Sequence, residues 1–407
     1  MTRRRQAPAE GEGNERVLAL LWHAPQKVIT AGGFRRTFEI LDRTPAGVEV
    51  LALDDEPSFL LDLSNENVRV VEYMIPRPVR ALEARFFWYE RALEWVIATI
   101  VMFWECARIG FARERFDVVF VPSSEQVPAL LAGIFAKYAL HAPLVVCNLN
   151  IDIFPRPVRK PLALLHNFAD GVIVISKHLA DELQSYGLRV PVQLNGVGLD
   201  AGAIRAGADP EEKSYEGVFV GRHDTEKGVF DLIAIWSEVV KAYPEARLAM
   251  VGSSNPTNRA KLDALIAKLG LAERIELLGT VGDEEKYETI KRSKICVFPS
   301  YVEEWGIVPQ ECLACGLPVV AYDLPVYREN IEPCEAVFRE DIGDVNGMAR
   351  AICRLLADDT YLQYARVGPD FVSRFDWEAV ASREFEIIRG WMDVGGRTAR
   401  PSRQEAG

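Results

Sequence analysis

Two glutamates, Glu303 and Glu311, lie in the stretch YVEEWGIVPQE, which follows the apolar run ICVFP and precedes a second one, LPVVAYD. A connection between two buried strands needs only turn residues, so carboxylates, a tryptophan and a glycine there suggest that something is held. Carboxylates are poor partners for phosphate but good acceptors for the hydroxyls of a sugar or ribose. A second stretch, VGRHDTEKGVFDLI, supplies cations: a strand ends at Gly221, and Arg222 and Lys227 flank a polar turn. An arginine fork with a lysine five residues on suits a diphosphate. A cation about 4 Å from an anion gains about 4 kcal/mol at an effective dielectric of 20. The two stretches together predict a polyol with phosphate attached.

The elements that must position these residues follow from the pattern around them. Pro309 suits a first helical turn and Gly316 the position just past a helix end, so a helix is expected over about 308–315 with Glu311 in its first turn. Glu303 then sits at the carboxyl end of a parallel strand, where open α/β sheets bind ligands. The helix start adds unpaired N–H groups for an anion. Along the chain, short apolar runs alternate with amphipathic segments, the signature of βαβ units. Strands are expected near 17–22, 48–53, 68–74, 117–122, 143–148, 171–176 and 191–195, then near 216–221, 246–252, 274–279, 295–299 and 318–322. The predicted architecture is α/β, with two doubly wound Rossmann-like parallel-sheet domains facing a cleft. The boundaries are a disordered 1–15, an N-terminal domain 16–200, a linker 201–215 and a C-terminal domain 216–375. A C-terminal helix over 376–394 is expected to pack back toward the N-terminal domain, ahead of a disordered tail, 395–407.

Composition narrows the class. A chain of 407 residues exceeds the size at which single cores stop growing. A net charge of -12 argues against nucleic acid as a partner, since that role wants a basic stripe. Seven cysteines, unevenly spread, do not read as a disulfide framework. The arginines of the first residues lead into no signal-peptide core, and no apolar run is long enough to span a bilayer, so a cytoplasmic setting is expected. One segment stands apart: residues 81–115, ALEARFFWYERALEWVIATIVMFWECARIGFARER, are dense in aromatics and arginine. The first expectation is a helix buried on nearly all sides. The second is a helix lying in a bilayer interface, giving peripheral membrane contact.

The full set of motifs resembles the glycosyltransferase family 4 group, which has the GT-B fold. The resemblance rests on G-R-x(4)-K-G at 221–228, P-S-x(2)-E-x-W-G-x(4)-E at 299–311 and C-x-x-C-G-L-P-V-V at 312–320. Gly32-Gly33 after the first strand, I-S-K-x-L at 175–179, N-G-V at 195–197 and F-D-W-E at 375–378 support it. It implies a nucleotide-sugar bound by the C-terminal domain and a glycan or lipid-linked acceptor bound by the N-terminal one. The transfer it implies retains anomeric configuration and needs no cofactor and no obligatory metal. Arg222, Lys227 and Glu303 are implied as the catalytic set, the last facing the donor sugar. Gly221, Gly306, Ile307, Val308 and Glu311 are implied to bind the donor, Glu311 through ribose hydroxyls. On the acceptor side the resemblance points to Gly32 and Gly33. Many members place a histidine after the strand ending near 148; here the segment reads CNLNID, which leaves Asn148, Asn150 or Asp152. Many also carry a Gly-Gly turn where this chain has DLPVYREN, with Glu329 as the possible match.

Other readings account for fewer residues. A glycosidase pair of Glu303 and Glu311 leaves the basic pocket without a job. The C-x-x-C of Cys312 and Cys315 lacks the further ligands zinc needs, and small buried helix residues are expected instead. GVGLDA at 196–201 imitates a dinucleotide fingerprint but precedes no strand ending in an acid. The five histidines have no ligand spacing, and His223 is expected to be a solvated turn residue. The remaining alternative is a non-catalytic GT-B scaffold that binds a glycan or protein partner.

Overall fold

The computed structural model describes residues 15–22, 32–55, 58–73, 88–151, 154–206, 210 and 212–398. The disorder expected for the tail past 398 and for most of 1–15 lies outside these residues. The chain divides into two compact units, Met1–Gly196 with Trp377–Gly407, and Val197–Asp376. Each is a Rossmann-like unit built on one parallel sheet.

Unit 1 holds β1 (Glu15–Leu20), β2 (Val48–Asp55), β3 (Val68–Tyr73), β4 (Val118–Val121), β5 (Leu144–Asn148), β6 (Gly171–Val174) and β7 (Val192–Leu194). They form one sheet in the order β3-β2-β1-β4-β5-β6-β7, with every neighbouring pair parallel. The central strands VVFV and LVVCN are wholly apolar or buried because helices cover both faces of such a sheet. The helices are α1 (Gly32–Asp42), α2 (Trp88–Phe111), α3 (Val127–Leu140), α4 (Arg156–Leu165) and α5 (Lys177–Ser185).

Helix α2 corrects the first expectation for the aromatic segment. Ala98, Met102, Cys106 and Ile109 are buried, but Val96, Ile100, Trp104 and Phe111 are 55, 61, 68 and 85% exposed. The helical period puts these four on one side, so the apolar circumference outruns the surface available to cover it. No described helix is long and apolar enough to cross a membrane.

The C-terminal helix, Trp377–Thr398, also belongs to unit 1. It runs through residues 395–398, expected to be tail, since a helix already nucleated extends at little cost. Its Glu384 is wholly buried and pairs with Arg36 of α1 through Nη2–Oε2 at 2.6 Å and Nη1–Oε1 at 3.1 Å. Arg36 also donates to the carbonyls of Asn195 (3.2 Å) and Gly196 (3.0 Å), and the Asn195 amide donates to Glu384 Oε2 at 2.5 Å. Removing one partner of such a buried pair leaves an uncompensated charge, a loss of about 3–5 kcal/mol.

Unit 2 opens with α6 (Ala201–Ala206), inside the stretch expected to be linker. Leu199, Ala201 and Ile204 are buried in this unit's core, so three apolar side chains convert the connection into a packed turn of helix. Then come β8 (Tyr215–Val220), α7 (Val229–Ala242), β9 (Leu248–Val251), α8 (Pro256–Lys268), β10 (Ile275–Gly279), α9 (Asp283–Lys291) and β11 (Ser293–Phe298). The unit continues with α10 (Ile307–Ala314), β12 (Val319–Tyr322), α11 (Pro325–Asn330), β13 (Val337–Glu340) and α12 (Val345–Leu356). The six parallel strands run β10-β9-β8-β11-β12-β13, and β13 is an edge strand that the sequence reading had not identified. In both sheets the strand order reverses once, between β1 and β4 and between β8 and β11.

The seat of the C-terminal helix can be tested at Gly171. A β-carbon there would lie 2.5 Å from Trp391 Cε2, with two more ring atoms within 2.7 Å. Gly171→Ala must displace the indole, and equilibrium urea unfolding is expected to show a loss of about 1–3 kcal/mol.

Candidate functional site

In unit 2 the chemistry gathers at the β8/β11 reversal. Strand β8 hands over to Gly221 and Arg222, and β11 to Pro299, Ser300 and the loop that carries Glu303. The two loops touch through backbone. Gly228 caps α7 with φ +66°, and a β-carbon on it would fall 1.7 Å from the Pro299 carbonyl oxygen, so no other residue fits. Tyr301 N–H donates to Glu226 O at 2.8 Å, and the hydroxyls of Tyr301 and Tyr322 both donate to Asp231 Oδ2, at 2.5 and 2.6 Å. That hydrogen bond, with burial second, pushes the Tyr301 hydroxyl up to about 12.

Lys227 Nζ lies 2.5 Å from Glu303 Oε1, and both side chains are largely buried. Arg222 stays well exposed, 3.0 Å from Asp224 Oδ2 and 3.4 Å from Glu226 Oε2. The cations expected to face a diphosphate are therefore held by carboxylates of the same two loops. Gly306 caps α10 with φ +82°, and a β-carbon there would meet Tyr327 Cε1 at 2.6 Å. Ile307 and Val308 open that helix, as expected within one residue. Glu311, 6% exposed, accepts from Lys286 Nζ and Tyr287 OH, each at 2.9 Å.

DLPVYREN, where the Gly-Gly turn is absent, forms α11. It places Tyr327 beneath Gly306 and lets the Asn330 amide donate to Trp305 O, while Glu329 lies on its exposed face. Gln310 Nε2, Tyr327 OH and Asn330 Oδ1 are buried without a hydrogen-bond partner. His223 corrects the expectation of a solvated turn: it is 2% exposed, with Nε2 unpartnered, and burial followed by the nearby Arg259 lowers its pKa. Cys312 is buried beside Cys296 in the core, and burial raises its thiol pKa. Among the described residues no group of three or more His, Cys, Asp or Glu converges as metal ligands.

In unit 1 a second polar cluster occupies the β1/β4/β5 edge. Gly32 and Gly33 begin α1, and Gly33 lies against Leu149: a β-carbon there would sit 3.1 Å from Leu149 Cδ1. Asn148 is buried; its amide donates to Ser124 Oγ at 3.0 Å, and Oδ1 has no partner. Ser124 Oγ lies 2.8 Å from His166 Nε2, and His166 Nδ1 lies 2.8 Å from Leu162 O. Burial lowers the His166 pKa to about 4, so the ring is neutral. The chain of donors then has one direction: His166 Nδ1–H to Leu162 O, Ser124 Oγ–H to His166 Nε2, and Asn148 N–H to Ser124 Oγ. The relay leaves the Asn148 carbonyl oxygen as its unpartnered end. Asn150 N–H donates to Glu125 Oε1 at 2.7 Å, as does Leu149 N–H, and burial foremost raises the Glu125 pKa. Trp22 N–H donates to Gln126 Oε1 at 2.8 Å, and its Nε1 is buried and unpartnered. Asp152 lies outside the described residues. Trp22, Ser124, Glu125 and His166 were not identified from sequence; the polar run SSEQ directly after strand β4 was the available signal.

A model described as "Glycosyltransferase Family 4" matches residues 44–201, and one described as "Glycosyl transferases group 1" matches residues 201–368. The chain belongs to glycosyltransferase family 4. It is 30% identical over 211 residues to phosphatidyl-myo-inositol mannosyltransferase of Mycobacterium leprae, covering 51% of this chain and 54% of that protein. It is 26% identical over 310 residues to D-inositol 3-phosphate glycosyltransferase of Rhodococcus jostii, covering 70% of this chain and 65% of that protein. The chain thus spans between about half and two thirds of the length of these curated relatives. Among solved structures, the family 4 chain superposes on HepE of Anabaena in complex with UDP and glucose at TM-score 0.71 and 19% identity. That match covers 93% of this chain and 100% of that one. Sucrose-phosphate synthase from Thermosynechococcus elongatus gives TM-score 0.69 at 20% identity, covering 94% and 100%. These matches agree with the fold, a GT-B pair of Rossmann-like domains.

The neutral imidazole gives a pH test. A folded pKa of about 4 against an ordinary value of 6.5 means the unfolded chain binds the extra proton between those limits. Stability from His166 is complete above pH 6.5 and falls as pH drops toward 4, by about 3 kcal/mol. Urea unfolding at pH 7 and pH 4.5 is expected to show a smaller acid loss for His166→Gln than for the natural protein.

Proposed function

We propose that this protein transfers a sugar from a nucleotide-diphosphate donor held by unit 2 to a hydroxyl of an acceptor held by unit 1, with retention of configuration. The observation that carries the reading is the β8/β11 edge, where Lys227 pairs with Glu303, Arg222 lies on the same loop as Lys227, and the loop of Glu303 leads into the helix that bears Glu311. Cations there suit the diphosphate, and carboxylates suit the sugar and ribose hydroxyls. Lys227 and Glu303 neutralise each other. A diphosphate would compete for Lys227 and release Glu303 to sugar hydroxyls. As the glycosidic bond breaks, charge grows on the leaving phosphate. Arg222 and Lys227 would then stabilise it most where catalysis requires, in the transition state. The acceptor hydroxyl would attack from the face the diphosphate leaves, which takes up its proton. We propose no metal or cofactor for this chemistry.

The acceptor reading rests on unit 1. Asn148 Oδ1 and Trp22 Nε1 are a buried acceptor and a buried donor without partners, and Leu149, next to Asn148, lies against Gly33 at the start of α1. Hydroxyls satisfy both kinds of group, and the backbone N–H groups at a helix start suit a phosphate. The names of the relatives point the same way, toward inositol carrying phosphate. The exposed stripe of Val96, Ile100, Trp104 and Phe111, ending beside Arg108, favours a lipid-linked acceptor met at the cytoplasmic face of a membrane.

The deciding experiment measures donor turnover across UDP-, GDP- and ADP-sugars with a phosphoinositide acceptor in vesicles. Arg222→Ala is expected to lower kcat by about 10²-fold. Glu311→Gln is expected to act chiefly on donor binding. Nucleotide binding without turnover on any acceptor would favour a non-catalytic scaffold, and negligible effects of both substitutions would sink the site. For the membrane contact, sedimentation with anionic vesicles at low salt is expected to carry the natural protein but much less of an Ile100→Asp, Trp104→Asp variant. Equal recovery of the two in the supernatant would remove that contact.

A further inference from the structure

The donor reading leaves unexplained what surrounds Glu311. Its carboxylate is buried on α10 one residue beyond the first turn, not within that turn as expected, and there the helix start favours it by well under what burial of a charge costs. Two residues of α9 supply the difference. Lys286 Nζ and Tyr287 OH both end on Oε1, at 2.9 Å each. A carboxylate oxygen has two lone-pair sites, so these donors fill that oxygen. Oε2 accepts no hydrogen bond among the described residues, which leaves two acceptor sites on one atom. A vicinal diol is the group that presents two donors to such an edge.

Lys286 has no capacity left for a ligand of its own. Its ammonium meets Glu311, donates to Asp283 Oδ1 at 2.9 Å, and lies 4.3 Å from the centre of the Tyr287 ring. Three N–H groups and three partners close the account. Burial opposes its charge, yet Glu311 foremost among its neighbours holds its pKa above the ordinary lysine value, so it stays a cation throughout the working range. Burial and then Glu311 raise Tyr287 likewise, which keeps its hydroxyl a donor.

We infer that Lys286 and Tyr287 are positioning residues: they fill Glu311 Oε1 so that Oε2 alone is presented to the 2′,3′-diol of the donor ribose. The inference rests on the donor site proposed above and adds to it the selectivity of that site for ribose over deoxyribose. The carboxylate is turned by one helix while another carries it.

The test varies the protein and the sugar together. Affinities of GDP, UDP and ADP, and of their 2′-deoxy forms, are measured by calorimetry for the natural protein, Lys286→Met, Lys286→Arg, Tyr287→Phe and Glu311→Gln. For the nucleotide that binds, the natural protein is expected to prefer the ribose form by tenfold or more. Lys286→Met should lose about tenfold on the ribose form and little on the deoxy form, so the preference collapses as it does in Glu311→Gln. Tyr287→Phe should show part of that collapse, and Lys286→Arg should restore most of the preference. Equal losses on ribose and deoxyribose forms in Lys286→Met would mean direct contact or general damage, and would overturn the proposal. So would a preference that Lys286→Met leaves intact. A natural protein that binds none of the six nucleotides would sink the donor site, and this inference with it. Melting temperatures of all variants separate misfolding from lost selectivity.

Discussion

Everything polar and functional in this molecule depends on how parallel strands are connected. Each strand must be followed by a crossover before the next can lie beside it, so all strands of a sheet end on the same edge. Where the strand order reverses, successive crossovers leave in opposite directions and cover opposite faces. The edge between them stays open. The reversal falls between β1 and β4 in unit 1 and between β8 and β11 in unit 2. Trp22, Glu125 and Asn148 collect at the first, and Arg222, Lys227 and Glu303 at the second.

The two edges are built in different ways. In unit 2 the loops are locked through backbone, Gly228 against Pro299 and Tyr301 N–H on Glu226 O, and two phenols on one Asp231 oxygen add a side-chain tie. A loop held this way presents side chains at fixed positions, which electrostatic stabilisation of a developing charge requires. In unit 1 the fixing is by side chains, through the relay from Leu162 O to His166, Ser124 and Asn148. A neutral histidine at the centre of that relay orients an amide without adding charge. The relay suits the first edge to hydroxyls, while the second sets cations against carboxylates.

Much of this was legible in the sequence because it is carried by short local signals. The alternation of apolar runs and amphipathic segments gives the strands of both sheets, and Pro309 with Gly316 brackets α10 to within a residue. Glu303, Arg222 and Lys227 announce themselves by falling in the loops after strands, and Glu311 by its place on the helix that Pro309 and Gly316 bracket. The edge strand β13 escaped notice because VFRE is short and only half-buried, with half its residues charged. The helix α6 reads as linker because its few apolar residues, Ile204 among them, show no period over so short a stretch. His166 and Ser124 were invisible as partners because 42 positions separate them and only the sheet brings them together. The exposed stripe on α2 could not be told from a buried helix, since hydrophobicity around the whole circumference looks the same whichever face is covered.

The pair of Arg36 and Glu384 has a consequence for the order in which the protein is made. Unit 2 is a continuous segment, Val197–Asp376, whereas unit 1 is assembled from pieces on either side of it. On a ribosome the whole of unit 2 emerges before the helix that carries Glu384. Until then Arg36 faces a space that only the end of the chain can fill, and the ground against which Trp391 packs on Gly171 is bare. Domains generally fold as units while synthesis proceeds. Here the unit begun first is finished last, and Arg36 waits for its carboxylate partner for the time taken to translate the other unit.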